Sequence, residues 1–146
     1  MHKYVIIPSV LALALCLTAC GGKTYADGSY QGRSADYVNE DGDTSGNGYG
    51  IVNLTVSGGQ ITACDYKTYE LDGTLKDEDY GKENGEIKNK DFFNKAQKAR
   101  AACDNYAQQL VAKQNVKDVD AVSGATVNYR EFQEAVADAL KQAEQK

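Results

Sequence analysis

The chain has 146 residues and no tryptophan, and its single histidine, proline and methionine are His2, Pro8 and Met1. Everything beyond the amino-terminal segment therefore lacks both the commonest metal-binding side chain and the commonest general base. Ser-His-Asp and Cys-His mechanisms are excluded. No motif for lysine-based hydrolysis is present. Cysteine is scarce as well: Cys16, Cys20, Cys64 and Cys103, with no Cys-X-X-Cys redox pair. Demanding chemistry in such a chain has to come from a cofactor.

What is there begins with "MHKYVIIPSVLALALCLTAC". A short basic start, an apolar run too short to span a bilayer and a group of small residues read as a secretory signal. Leu17-Thr18-Ala19-Cys20 resembles the lipobox of bacterial lipoproteins. The resemblance implies cleavage before Cys20 and lipid on that cysteine, which anchors the protein at the extracytoplasmic face of the cell membrane. Three acyl chains hold firmly where one holds marginally. The expected organisation is a signal peptide over 1–19, a lipidated tether over 20–27 and one domain over 28–146. The tether, "CGGKTYAD", reaches at most about 25–29 Å when extended. Cleavage leaves 127 residues, enough for one core and too few for two. With 15 basic against 21 acidic side chains, the mature chain is a poor partner for nucleic acid.

Hydrophobic spacing outlines the domain. "DGSYQGRSADY" reads as a first strand. In "YGIVNLTVSGGQITACDYKTYEL", Val52, Leu54 and Val56 alternate, Ser57-Gly58-Gly59-Gln60 turns, and a return strand starts at Ile61. A charged connection follows. Phe92, Ala96, Ala99, Cys103, Tyr106 and Leu110 then form a stripe at helical spacing, with Asn89 and Asp91 as start signals. Tyr129, Phe132, Val136, Ala139, Leu140 and Ala143 form a second stripe, with Asn128 and Glu131 spaced as a capping box. Strands first and helices later predict an α+β fold, a small antiparallel sheet with helices packed on it. Cys64 and Cys103 read as two buried thiols, with a disulfide as the alternative. "DGDTSGNGYGIV" places Asp41, Asp43, Ser45 and Gly46 like half of a calcium loop, but its twelfth position is Val52 where a glutamate is needed, so no metal is expected.

Between the two helical stripes lies Asp120-Ala121-Val122-Ser123-Gly124-Ala125-Thr126. This segment resembles the D-x-x-[ST]-G-A-T flavinylation motif of the FMN-binding domain family, and matches every fixed position. "DGSYQG", the hairpin, "LDGTLKDEDYGKENG" and "EFQEAVADAL" extend the likeness over nearly the whole mature chain, towards the membrane-anchored lipoprotein branch. The resemblance implies FMN joined through its phosphate to the Thr126 hydroxyl by a dedicated flavin transferase, and an electron carrier serving a redox partner, with no catalytic residue of its own. The residues suit that role. Gly124 lets backbone approach an anion, and a helix start offers unpaired N–H groups and a positive dipole end. Ser123 caps or donates, Ala125 leaves room for the transferase, and Asp120 orients loop N–H groups or is read by the transferase. Tyr129, one helical turn on, is a candidate to stack on the flavin. The competing reading is a surface lipoprotein that binds a ligand or protein partner without covalent flavin.

Overall fold

The structure is a computed structural model that describes residues 23–145. Cys20 and the signal segment lie outside the described residues. The fold grows from one hairpin. Gly58 and Gly59 both take positive φ, +61° and +75°, as a two-residue type I′ turn requires. They join β2 (Tyr49–Ser57) to β3 (Gln60–Tyr69). Val52, Leu54 and Val56 are buried on one face, as their alternation predicts. On β3, Ile61 and Tyr66 are an odd number of residues apart, yet both are buried. A bulge reconciles them: Thr55 faces Ala63 and Val56 faces Ile61, which leaves Thr62 as the extra residue. β1 (Gly28–Arg33) pairs with β2, giving an antiparallel sheet in the order β1-β2-β3.

Helices cover one face of the sheet, so the fold is α+β as expected. α1 (Lys90–Lys113) lies on β3, and α2 (Thr126–Ala143) lies on β1 and β2. Among the described residues no helix is long and apolar enough to cross a membrane. Asn89 caps α1 by accepting from the Phe92 N–H at 3.0 Å. Ala96, Cys103, Tyr106 and Leu110 of the stripe are buried, while Phe92 and Ala99 are only half-buried. The core closes on packed aromatics: Phe132 stacks on Tyr106 at 5.7 Å and meets Tyr66 at a tilt at 4.9 Å between ring centroids. Leu110 is fully buried at this junction. Leu110→Ala is expected to cost about 2–5 kcal/mol in chemical denaturation.

Both sheet edges are tied down by helix side chains, which blunts them against pairing with other chains. On β1 and just beyond it, the Arg33 N–H donates to Asp138 at 3.0 Å, the Ala35 N–H donates to Glu134 at 3.1 Å, and Gln142 donates to the Gln31 carbonyl at 2.7 Å. On β3, Gln114 accepts from the Ile61 N–H at 2.8 Å and returns a bond to the Ile61 carbonyl at 2.7 Å. Gln114 does this from a left-handed conformation, φ +62°, at the end of α1. Residues expected in the tether also join the fold, since the Ala26 N–H donates to the Ala143 carbonyl and the Gln145 N–H to that of Thr24.

Cys64 and Cys103 are free thiols, Cys103 buried and Cys64 half-buried. Burial pushes Cys64 up to about 12 and Cys103 up to about 11. They pack as small hydrophobes and are poor nucleophiles at neutral pH.

Candidate functional site

After α1 the chain makes a single 3-10 turn, Val116–Asp118, and reaches α2 through residues 119–125. Hydroxyls reaching out of the core fix this loop. Tyr106 Oη accepts from the Val122 N–H at 2.9 Å and donates to the Ala125 carbonyl at 3.1 Å. Tyr129 Oη donates to the Val119 carbonyl at 2.8 Å. Gln109 brackets Asp120 from both sides, accepting from its N–H at 2.8 Å and donating to its carbonyl at 3.2 Å. Val122 to Ala125 form a turn closed by the Ala125 N–H on the Val122 carbonyl at 3.0 Å. Gly124 sits third in that turn with φ +81°, where residues bearing a Cβ are strained.

Thr126 is the first residue of α2 and is exposed. No side chain caps this helix: the residue before it, Ala125, has no side-chain oxygen. The first-turn N–H groups and the positive end of the dipole are thus left for a ligand. A cleft of about 230 Å³ opens beside them, lined by Gly124 to Asn128 on one side and by Phe92, Ala96, Ala99 and Tyr80 on another. Lys76, Lys95 and Arg100 also line it. Lys76 is the unusual one. It is buried, donates to the Gly46 carbonyl at 3.1 Å and lies over the Tyr80 ring. Burial pulls its ammonium below the ordinary lysine range, and the charge of Glu131 opposes that pull.

The sequence-predicted residues divide. Thr126 and Gly124 stand together at the cleft mouth. Ser123 is exposed in the turn and caps nothing. Ala125 is buried, its carbonyl holding both Tyr106 and the Tyr129 N–H, so its small side chain packs in the core. The Asp120 carboxylate is paired with Lys113 at 2.9 Å and does not orient loop N–H groups. Tyr129 does not line the cleft: its ring packs on Tyr106 at 5.5 Å and its hydroxyl is spent on Val119.

The capping box is also corrected. Asn128 lies inside α2 and donates to the Ala99 carbonyl at 3.0 Å and to Cys103 Sγ at 3.4 Å. Glu131 is buried at 1% exposure, with neither carboxylate oxygen hydrogen-bonded. In the loop that resembles half a calcium site, Asp43 is engaged by the Ser45 N–H and hydroxyl, and those bonds hold its carboxyl below the usual range. Sequence reasoning missed Lys76, Lys95, Arg100 and the buried Glu131. Lys76 stands inside a solvated-looking charged run, so spacing carried no signal for it.

The cleft fits FMN in kind. It has cations and helix N–H groups for a phosphate, apolar and aromatic walls for a ring, and a hydroxyl at the mouth. It is smaller than the roughly 300–1,000 Å³ of ordinary ligand sites, so it would seat only part of such a molecule.

A sequence model of the FMN-binding domain family matches residues 45–141. A comparison with curated proteins returns no match. Among solved structures, a Clostridium perfringens protein known from a crystal structure is similar at 22% identity and a TM-score of 0.58, over 82% of this chain and 88% of that one. A Clostridium thermocellum protein solved by NMR matches at 24% identity and a TM-score of 0.43, over 82% of this chain and 92% of that one. The first of these likenesses speaks to the fold alone.

Proposed function

The chain belongs to the FMN-binding domain family, and from that premise we propose that it is a membrane-anchored extracytoplasmic electron carrier with FMN esterified to Thr126. The observation that carries the reading is the exposed Thr126 hydroxyl at an uncapped helix start, beside a positive-φ glycine and opening on a cationic, aromatic-walled cleft. Bound there, FMN would supply one- and two-electron chemistry that no side chain of this protein can perform. The chain's own residues do the holding. Lys95, Arg100 and the first N–H groups of α2 are available to the phosphate, and Phe92, Ala96 and Ala99 to the ring. Outside the cytoplasm a dissociated flavin is lost by dilution. An ester makes retention independent of affinity, so a small open cleft suffices, and an open cleft suits exchange with a redox partner.

The test is maturation in a host that exports this chain with a flavin transferase. The mature mass should rise by one FMN less one water, and yellow fluorescence should survive boiling in detergent. No adduct under conditions that label another protein with this motif would favour the binding-lipoprotein reading instead. Anchoring has its own test. Cys20→Ala is expected to leave an uncleaved or mislocalised precursor, and normal-sized lipidated protein after this change would refute the anchor.

A further inference from the structure

Glu131 has no role in the reading above, and its position calls for one. A buried carboxyl with no hydrogen-bond partner is rare and costly. Glu131 lies on α2 five residues after Thr126, against β2 and Tyr66 of β3. A Cβ added to Gly50 would meet its Cβ at 3.2 Å, so β2 offers it only backbone there. The titratable groups that bear on it are Lys76 and Tyr80 from the connection after β3, Tyr66 from β3, Cys103 from α1, and Arg130 and Glu134 from α2 itself. Lys76 reaches the same stretch of chain, since a Cβ added to Gly48, two residues before Gly50, would meet its Nζ at 2.9 Å; it also lines the cleft, and its charge opposes the effect of burial on Glu131. No ion pair within 4.0 Å joins them among the described residues. Lys76 is held instead on the Gly46 carbonyl. Thr68 and Asn128 also line the cleft.

We propose that Glu131 is a proton acceptor coupled through Lys76 to the charge in the cleft, so that a negative charge arriving there draws a proton from solvent onto the Glu131 carboxylate. The inference rests on a flavin being seated in this cleft. Lys76 is one cation shared between two anions. When the second appears, the first is left buried without compensation and becomes neutral by protonation. Burial already pushes the Glu131 carboxyl up to about 7, against the pull of Lys76, so little further change is needed. The balance is simple. Two electrons from a chemical reductant and one solvent proton convert the flavin to its singly charged reduced form, and a second solvent proton converts the Glu131 carboxylate to the acid. Glu131 is thus a positioning residue for charge, acting through Lys76.

The experiment is an anaerobic redox titration of the flavin-loaded chain against dithionite, over about pH 6 to 9, for wild type, Glu131→Gln and Lys76→Met. Between the oxidised-state and reduced-state titration points of Glu131 the wild-type potential should fall more steeply than that of Glu131→Gln by one proton per two electrons, about 30 mV per pH unit. A reduced-minus-oxidised infrared spectrum should show a protonated carboxyl band that Glu131→Gln lacks. Lys76→Met, which removes the shared cation, should bring the slope close to that of Glu131→Gln. Parallel profiles and no carboxyl band in a loaded, folded wild type would overturn the coupling. A chain that never takes up flavin would instead overturn the carrier reading. Glu131→Gln keeps the shape and removes a buried charge, so it should fold. If it does not, the wild-type carboxyl band and the Lys76→Met profile decide the question.

Discussion

Gly32→Ala is expected to cost about 3 kcal/mol or more, a large share of the stability of a domain this size. The reason is space and not backbone conformation. A Cβ built on Gly32 would stand 1.9 Å from the Ala135 carbonyl oxygen, 2.5 Å from the Ala139 nitrogen and 2.8 Å from its Cβ. Two of these are helix backbone atoms and cannot turn aside. The glycine lets α2 lie directly on β1. The close approach is what allows Asp138, Glu134 and Gln142 to reach the N–H and carbonyl groups along this edge. A single methyl group lifts the helix, opens the core at Ala135 and Ala139, and releases those bonds together. Urea denaturation followed by far-UV circular dichroism measures the loss. Gln31→Ala, next along the strand and exposed, should stay within about 0.5 kcal/mol of wild type. Equal midpoints for Gly32→Ala and wild type would mean that α2 does not pack as described. The site would suffer with the fold, because α2 carries Thr126 at its start.

Much of the scaffold was legible in the sequence because period and punctuation agreed. Val52, Leu54 and Val56 alternate on the buried face, Gly58-Gly59 turns, and Asn89 caps. The end of α1 was not legible. It stops on Gln114 in a left-handed conformation, with neither glycine nor proline to mark it, because the side chain is recruited by Ile61 across 53 residues of sequence. The bulge at Thr62 was hidden for a similar reason: it compensates a register set by the partner strand. At the site, the motif located Thr126 and the positive-φ Gly124. Two local roles gave way to tertiary contacts: Asp120 pairs with Lys113 instead of orienting loop N–H groups, and Ser123 caps no helix. Asn128 and Glu131 have capping-box spacing, but the helix starts three residues earlier than that box requires. Asn128 then faces Cys103 and Glu131 the core. Tyr129 stands one turn from Thr126 on paper, yet it points under the loop and holds it from below. The cationic wall arises from residues 76, 95 and 100, brought together only when the charged connection folds back over α1.

Thr126→Ala is expected to abolish the flavin adduct completely while leaving stability within about 0.5 kcal/mol of wild type. Both halves follow from its place. Thr126 is exposed at the first position of α2, and its hydroxyl neither caps the helix nor bonds another group among the described residues, so the fold does not depend on it. Ser123, three residues earlier, does not line the cleft; of the other hydroxyls that do, Ser45 is bonded to Asp43, Thr68 is buried and Tyr80 accepts from the Gly46 N–H. Thr126→Ser keeps a hydroxyl at the same backbone position and should retain labelling. Gly124→Val should reduce labelling through shape. A β-branched residue at φ +81° is strained by about 1–3 kcal/mol and would shift the turn that presents Thr126. Gly124→Asn, which tolerates that conformation, should be milder than valine. Space is not the obstacle, since the nearest atom to an added Cβ is Lys98 Nζ at 4.0 Å. Intact mass after co-expression with the transferase reads all four variants, and denaturation midpoints read their folds. An adduct of unchanged mass on Thr126→Ala would move the attachment to another residue. A fold lost along with the adduct would give Thr126 a structural role that its exposure and its missing contacts argue against.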